Sequence, residues 1–201
     1  MIPLSILAAG VLCLLARTGR GRAGALIFGL TASLLFATSA LYHRRTWAPA
    51  ARRLMRRLDH SMIFVLIAGT YTPFTLLFLH GVAEVVLLAV AWGGAGLGIA
   101  ARMAWLSAPK WAIVPPYLAL GWVAAFVLPA LLHAGGVAPL VLLLAGGGFY
   151  SLGALAYATQ RPDPRPQVFG YHEVFHACTL VAWLCHVIAL GVALTAVATV
   201  A

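Results

Sequence analysis

The chain has 201 residues, of which 63% are hydrophobic and 8% charged. No water-soluble domain of this size carries so much apolar surface, so composition excludes the soluble classes and specifies an all-α, polytopic integral membrane protein. A net charge of +9 would suit nucleic acid, but the cations cluster in the loops between apolar runs, which excludes that partner and marks them as topology determinants.

Breaking the chain at its charged and Pro/Gly clusters gives seven apolar segments, approximately 2–16, 25–43, 58–79, 83–101, 110–132, 137–158 and 170–199. The first lacks a charged leader and a small-residue cleavage site, so it reads as a short, partly inserted helix rather than a removed signal peptide. Each of the others is long enough to cross a hydrocarbon core of about 30 Å. The stretch Pro49–Leu58 carries Arg pairs around Leu54 and Met55 and resembles a short basic interfacial helix resting on anionic headgroups. Pro73 is expected to kink the third segment. Trp47, Trp105, Trp111 and Tyr171 sit near segment ends, as interfacial anchors do. The three cysteines, Cys13, Cys178 and Cys185, fall inside apolar runs and read as small buried hydrophobes. No soluble domain or internal repeat interrupts the pattern, so residues 1–201 are expected to form a single seven-helix transmembrane domain.

With seven crossings, the loops after segments two, four and six share one side of the membrane. They hold Arg44, Arg45, Arg52, Arg53, Arg56, Arg57, Arg102, Lys110, Arg161 and Arg165, ten of the thirteen cations. The opposite side holds Arg17, Arg20 and Arg22. The positive-inside rule makes the richer side cytoplasmic, with the N-terminus inside and the C-terminus outside.

That topology brings distant residues to one depth. His43 ends segment two as it arrives at the cytoplasmic side, Asp59 begins segment three there, and His172 and His176 begin segment seven there. His172 and His176 are four apart, so they share a helix face at about 6 Å along the axis and can bind one metal ion. Ser39 lies one turn before His43 on the same face. Three neutral imidazoles with a water make an open, catalytic-type zinc site. A nearby carboxylate such as Asp59 can hold that water or take its proton. Ionisable groups in membrane spans are costly, and usually mark function.

Four ordered blocks carry a family resemblance: Ser39-Ala40-Leu41-Tyr42-His43, Leu58-Asp59-His60-Ser61, Ala68-Gly69-Thr70-Tyr71-Thr72-Pro73-Phe74 and His172-Glu173-Val174-Phe175-His176. Together they resemble the signature blocks of hemolysin III proteins, the bacterial branch of the progestin and adipoQ receptor family. The resemblance covers nearly the whole chain. It implies a seven-helix membrane fold with an inside N-terminus, placed in a bacterial plasma membrane. It implies a zinc held by His43, His172 and His176, with Asp59 contacting the zinc-bound water and Ser39 close by. Eukaryotic members and the wider superfamily that includes alkaline ceramidases imply hydrolysis of a lipid amide, with membrane lipids as partners, and the bacterial branch carries a cytolysin label. Family members usually begin with an acidic stretch and a Thr-His-x-x-Gly block. Met1-Ile2-Pro3 carries neither, which bears on how helix one packs and leaves the zinc positions intact.

Each site residue also has a plainer reading. His172 with His176, or His43 alone, suits an interfacial histidine that snorkels; Asp59 suits a partner for Arg56 or a helix cap; Ser39 suits a bond to a carbonyl of its own helix. His60 points about 100° away from Asp59 around the helix and reads as interfacial. His80 and His133 fall in outside loops, and His186 lies mid-membrane, about 15 Å beyond His176, where a polar interhelix contact is expected. Three function classes stand: a zinc-dependent hydrolase of a lipid amide or ester with Asp59 as base, a zincin-like intramembrane protease with Glu173 as base, and a non-enzymatic receptor, lipid-state regulator or cytolysin with a structural zinc. The protease reading lacks a ligand downstream of the H-E-x-x-H string, since the third histidine comes from upstream at His43.

Overall fold

The computed structural model describes residues 1–105 and 108–200, without the side chains of Lys110 and residues 197–200. It is built of helices in the order α1 (Ile2–Leu15), α2 (Gly19–Arg44), α3 (Pro49–Phe78), α4 (Val82–Ala104), α5 (Lys110–Trp122), α6 (Leu128–Gly135), α7 (Val137–Thr159) and α8 (Tyr171–Val200), with a 3₁₀ turn at Val123–Phe126 between α5 and α6. Five of them, α2, α3, α4, α7 and α8, are long and apolar enough to cross a membrane. The pair α5 and α6 makes a sixth candidate, bent by 45° at its break. With 14 residues, α1 spans only about 21 Å, short of a hydrocarbon core of about 30 Å.

Local chemistry sets several of these boundaries. Thr18 caps α2, its Oγ1 accepting the Gly21 N–H at 3.0 Å. Pro49 opens α3 at a position where its missing N–H is no loss. The stretch Pro49–Leu58, read from sequence as a separate interfacial helix, is the start of α3. Arg52, Arg53, Arg56 and Arg57 follow helical spacing, and nothing at Leu58 breaks the run. At 30 residues α3 is about 45 Å long, so roughly its first ten residues project beyond the apolar layer. Pro73 lies inside α3 without ending it. The fifth apolar segment is not one rod: α5 contains Pro115 and Pro116, and Pro129, which cannot donate a backbone hydrogen bond, sits in the first turn of α6. His133 is consequently on α6 rather than in a loop, and it is exposed.

Large apolar side chains of α2, α3 and α8 form the centre, with the Phe36 and Trp183 rings meeting edge to face at 5.3 Å. Small residues let the helix backbones approach, as membrane helices commonly do. A Cβ on Gly29 would collide with Ala9, and one on Gly69 with the Thr31 side chain. The outer faces are as apolar as the centre: Leu14 is 86% exposed, Val82 79% and Leu97 75%. Contiguous exposure of this kind is incompatible with water and appropriate to lipid. The chain is an integral membrane protein. The three cysteines are unpaired.

Candidate metal centre

Three helices deliver the site to one end of the bundle. The last turns of α2 carry Ser39 and His43, an early turn of α3 carries Asp59, and the first turns of α8 carry His172 and His176. The start of α8 is held firmly. Asp163 Oδ1 accepts the Tyr171 N–H at 2.9 Å, and Glu173 Oε2 accepts the Gly170 N–H at 2.9 Å. Gly170 precedes the first helical residue and Glu173 is three residues on, which is the carboxylate half of a capping box.

His43, His172 and His176 each turn one ring nitrogen inward, and the three nitrogens lie within 4.8 Å of one another. Nε2 of His172 and Nε2 of His176 are 3.2 Å apart. Ring centroids of His43 stand 5.2 Å from those of His172 and 5.4 Å from those of His176. Tetrahedral zinc with Zn–N bonds of about 2.1 Å would put its ligand nitrogens about 3.4 Å apart. The pair on α8 already has about that spacing, and His43 offers a nitrogen within 4.8 Å of both. The donor set therefore fits a metal that takes imidazole, with a fourth position left for water. Sequence reasoning identified the same three histidines, and the fold brings them together.

Asp59 faces this cluster. Its Oδ2 is 3.9 Å from His43 Nε2, and its side chain is 13% exposed against 37% for His43. Ser39 lies beside the Asp59 carboxylate, close enough for its hydroxyl to influence that group. The chain has four carboxylate side chains, and the other three are engaged elsewhere: Glu84 with Arg20 at 2.8 Å, Asp163 with the Tyr171 amide, and Glu173 with the Gly170 amide. Glu173 is exposed and lies outside the lining of the cavity described next.

A cavity of about 600 Å³ runs from the cluster into the bundle, touching Ser39, Asp59, His172 and His176 at one end. Its walls are mostly apolar, from residues such as Phe36, Ile63, Ile67, Phe74, Leu118 and Leu143. The volume suits a drug-sized or single-chain lipid ligand. Trp122 of α5 and Leu144 of α7 line it and are themselves partly exposed.

Sequence reasoning missed a second group of polar residues here. Arg102 was counted as a loop cation, yet it sits in the last turn of α4 and is 6% exposed. It donates to His60 Nδ1 at 3.0 Å and to the Trp105 carbonyl at 3.1 Å. Tyr117 donates to the His60 carbonyl at 3.0 Å. Because the guanidinium can only donate, His60 Nδ1 is the acceptor and any ring proton sits on Nε2. His60 is thus held partly buried against α4 and α5 and lines the cavity. The Tyr157 ring stands 6.0 Å from His172 and 6.3 Å from His60. An arginine one turn inside the end of an apolar run was the available signal. The opposite end of the bundle carries Arg17, Arg20 and Arg22, while the end with the histidines carries nine arginines; the side chain of the tenth expected cation, Lys110, lies outside the described residues.

Over residues 1–187 the chain matches the family described as Haemolysin-III related. It belongs to that family. It is similar to the Hemolysin-3 homolog of Bacillus subtilis (strain 168), 32% identical over 154 residues, which is 77% of this chain and 69% of that protein. It is also similar to Hemolysin-3 of Bacillus cereus, 35% identical over 135 residues, 67% of this chain and 61% of that one. The match thus spans roughly two thirds of the length of these relatives. The haemolysin-III-related region includes Ser39, His43, Asp59, His172 and His176 and the whole cavity lining.

Proposed function

We propose that this protein is a zinc-dependent hydrolase of an acyl bond, an amide or ester, in a membrane lipid. The observation that carries the reading is the junction of a three-histidine, metal-fitting cluster with an apolar cavity of about 600 Å³. His43, His172 and His176 hold the zinc, which when bound supplies Lewis acidity toward a carbonyl oxygen and toward water. The chain's own part follows from its geometry. The apolar walls take the acyl chain and keep water away from it, leaving the linkage beside the histidines. Asp59 accepts a proton from the attacking water as its oxygen bonds to the carbonyl carbon, and returns that proton to the leaving nitrogen or oxygen as the old bond breaks. Ser39 orients the Asp59 carboxylate. A ceramide-type amide is the reference chemistry, and another acyl lipid is the alternative in a membrane without ceramides.

In the same proposal the arginine-rich end faces the cytoplasm of a bacterial plasma membrane, with the N-terminus inside and the C-terminus outside. The linkage then lies near the cytoplasmic boundary, where glycerol and amide linkages sit, and the acyl chain extends toward the midplane. The protease reading has Glu173 as its base, but that carboxylate is occupied by the Gly170 amide and points outward. The test is release of free fatty acid from a lipid panel by zinc-loaded protein in nanodiscs. Wild type should exceed Asp59→Asn by about 10²-fold or more, the range for loss of a general base. Equal release across the panel would leave a structural zinc in a non-enzymatic regulator as the function.

A further inference from the structure

We infer that a groove at the arginine-rich end of the bundle, walled by Tyr42 and Trp47 and armed by Arg52, Arg53 and Arg56, binds the phosphate group of an anionic lipid headgroup. The inference stands apart from the hydrolase reading and from the metal centre. The groove holds about 370 Å³ and is lined by those five residues and Pro49. It shares no lining residue with the large cavity. It lies beside the histidines all the same, since the Tyr42 and His43 rings are neighbours with centroids 4.7 Å apart. The fold builds its walls. The connection from α2 to α3 is drawn back against α2, where the Trp47 indole N–H donates to the Leu41 carbonyl at 3.3 Å. That bond uses the polar edge of the indole and leaves its ring as a wall, with Trp47 and Tyr42 both half-buried. Arg52 and Arg56 are four apart near the start of α3, so they share a helix face about 6 Å apart along the axis, and Arg53 flanks them.

Three guanidiniums around one groove repel one another. Among the described residues none of the three is ion-paired, the two pairs being Arg20 with Glu84 and His43 with Asp59. The first turn of α3 also carries no acidic residue. The missing counter-charge is supplied by a ligand. Each guanidinium can give a phosphate two parallel N–H···O bonds, a match that no other cationic side chain makes. All three arginines are exposed, so the groove is open to an incoming anion. A lipid is the source that fits the surroundings. The first turns of α3 project beyond the apolar layer, and Trp and Tyr rings are the side chains that lie at headgroup level, where lipid phosphates also lie. Liquid water takes about 30 Å³ per molecule, so the groove has room for a phosphate together with the glycerol that carries it. A zwitterionic choline head would bring its own cation among the arginines.

The test is calorimetric titration of the full chain in neutral detergent with dihexanoyl phosphatidic acid, dihexanoyl phosphatidylcholine and inorganic phosphate. Salt is kept at about 0.15 M, where charges more than about 8 Å away are screened. Wild type should bind the phosphatidic acid at least about tenfold more tightly than either of the others, because only that probe offers both an anionic phosphate and a body to lie against the two rings. Arg52→Gln with Arg56→Gln should weaken it by about 10–100-fold, the range for losing hydrogen bonds to a charged group. The matched control removes the same two charges from the α7–α8 connection, where Arg161 and Arg165 are exposed and outside the groove. Arg161→Gln with Arg165→Gln should change binding by less than about threefold. Equal binding of the two lipids by wild type overturns the groove. A control pair that loses as much as the groove pair also overturns it, leaving only the diffuse charge of a basic membrane face. Inorganic phosphate binding as tightly as the phosphatidic acid overturns the lipid headgroup and gives the groove to free phosphate.

Discussion

His43→Ala separates a metal ligand from a structural histidine cleanly, because the side chain is 37% exposed. Truncation at such a surface position usually moves stability by no more than about 0.5 kcal/mol, so the metal-free variant should melt close to the metal-free wild type. Zinc should behave differently in the two. At a free concentration of one hundred times Kd, binding to the native state adds about 2.7 kcal/mol. Losing even an outer partner of a metal ligand weakens affinity by about 10–100-fold, and losing one of three direct ligands is at least as severe. At that same zinc concentration a hundredfold loss leaves about 0.4 kcal/mol. The remaining Nε2 atoms of His172 and His176, 3.2 Å apart, are expected to retain only this residue of affinity. The assay pairs metal analysis of purified protein with melting curves taken with zinc and with chelator. Wild type should hold one zinc per chain and gain a zinc-dependent rise in Tm; His43→Ala should lose both. A variant that keeps its zinc and its zinc-dependent rise would remove His43 from the ligand set and undo the convergence of α2 on α8.

Three further outcomes are expected. Glu173→Gln should keep its zinc and most of its hydrolysis, because glutamine still reaches the Gly170 amide; loss of hydrolysis with zinc intact, while Asp59→Asn stays active, would restore the protease reading. Single cysteines at Ala50 and Ala134 in cysteine-free protein should label oppositely in intact cells, with position 134 reachable from outside; an externally reachable position 50 refutes the inside N-terminus. Gly69→Ala, whose Cβ collides with Thr31, should cost about 1–3 kcal/mol in detergent unfolding, whereas Gly148→Ala, with nothing near its Cβ, should be neutral or stabilising by up to about 1 kcal/mol.

The histidine cluster was legible before any coordinates because membrane crossings impose alternation. Once a run of apolar residues is read as a crossing, its ends acquire a depth, and residues more than a hundred positions apart can be assigned to the same level. That parity was enough to group His43, Asp59, His172 and His176 in the sequence, and the fold brings the four together. The same reasoning failed where meaning depends on a neighbouring helix. An arginine at the end of an apolar run looks the same whether it snorkels to the surface or turns inward, and Arg102 turns inward because His60 and the Trp105 carbonyl accept its hydrogen bonds. The fifth segment is apolar throughout, so periodicity could not tell a continuous rod from a pair bent at 45°. The cavity was unreadable for a related reason, since it is the space left between facing surfaces of several helices.

The string His172-Glu173-Val174-Phe175-His176 shows how position within a helix decides what a motif can do. Two histidines at i and i+4 make a metal edge anywhere along a helix, because that depends only on the helical repeat. The glutamate between them depends on where the helix begins. In mid-helix every backbone N–H nearby is already bonded, and a glutamate is free to act on a ligand. Here α8 begins at Tyr171, the Gly170 N–H has no intrahelical acceptor, and Glu173 is three residues away, within reach of it. Asp163 reinforces the same start by taking the Tyr171 N–H. The helix terminus thus claims the carboxylate that a protease would use. Asp59 on α3, with Ser39 beside it, is the carboxylate left facing the histidines, so the proposed function gives it the role that a protease would give to Glu173.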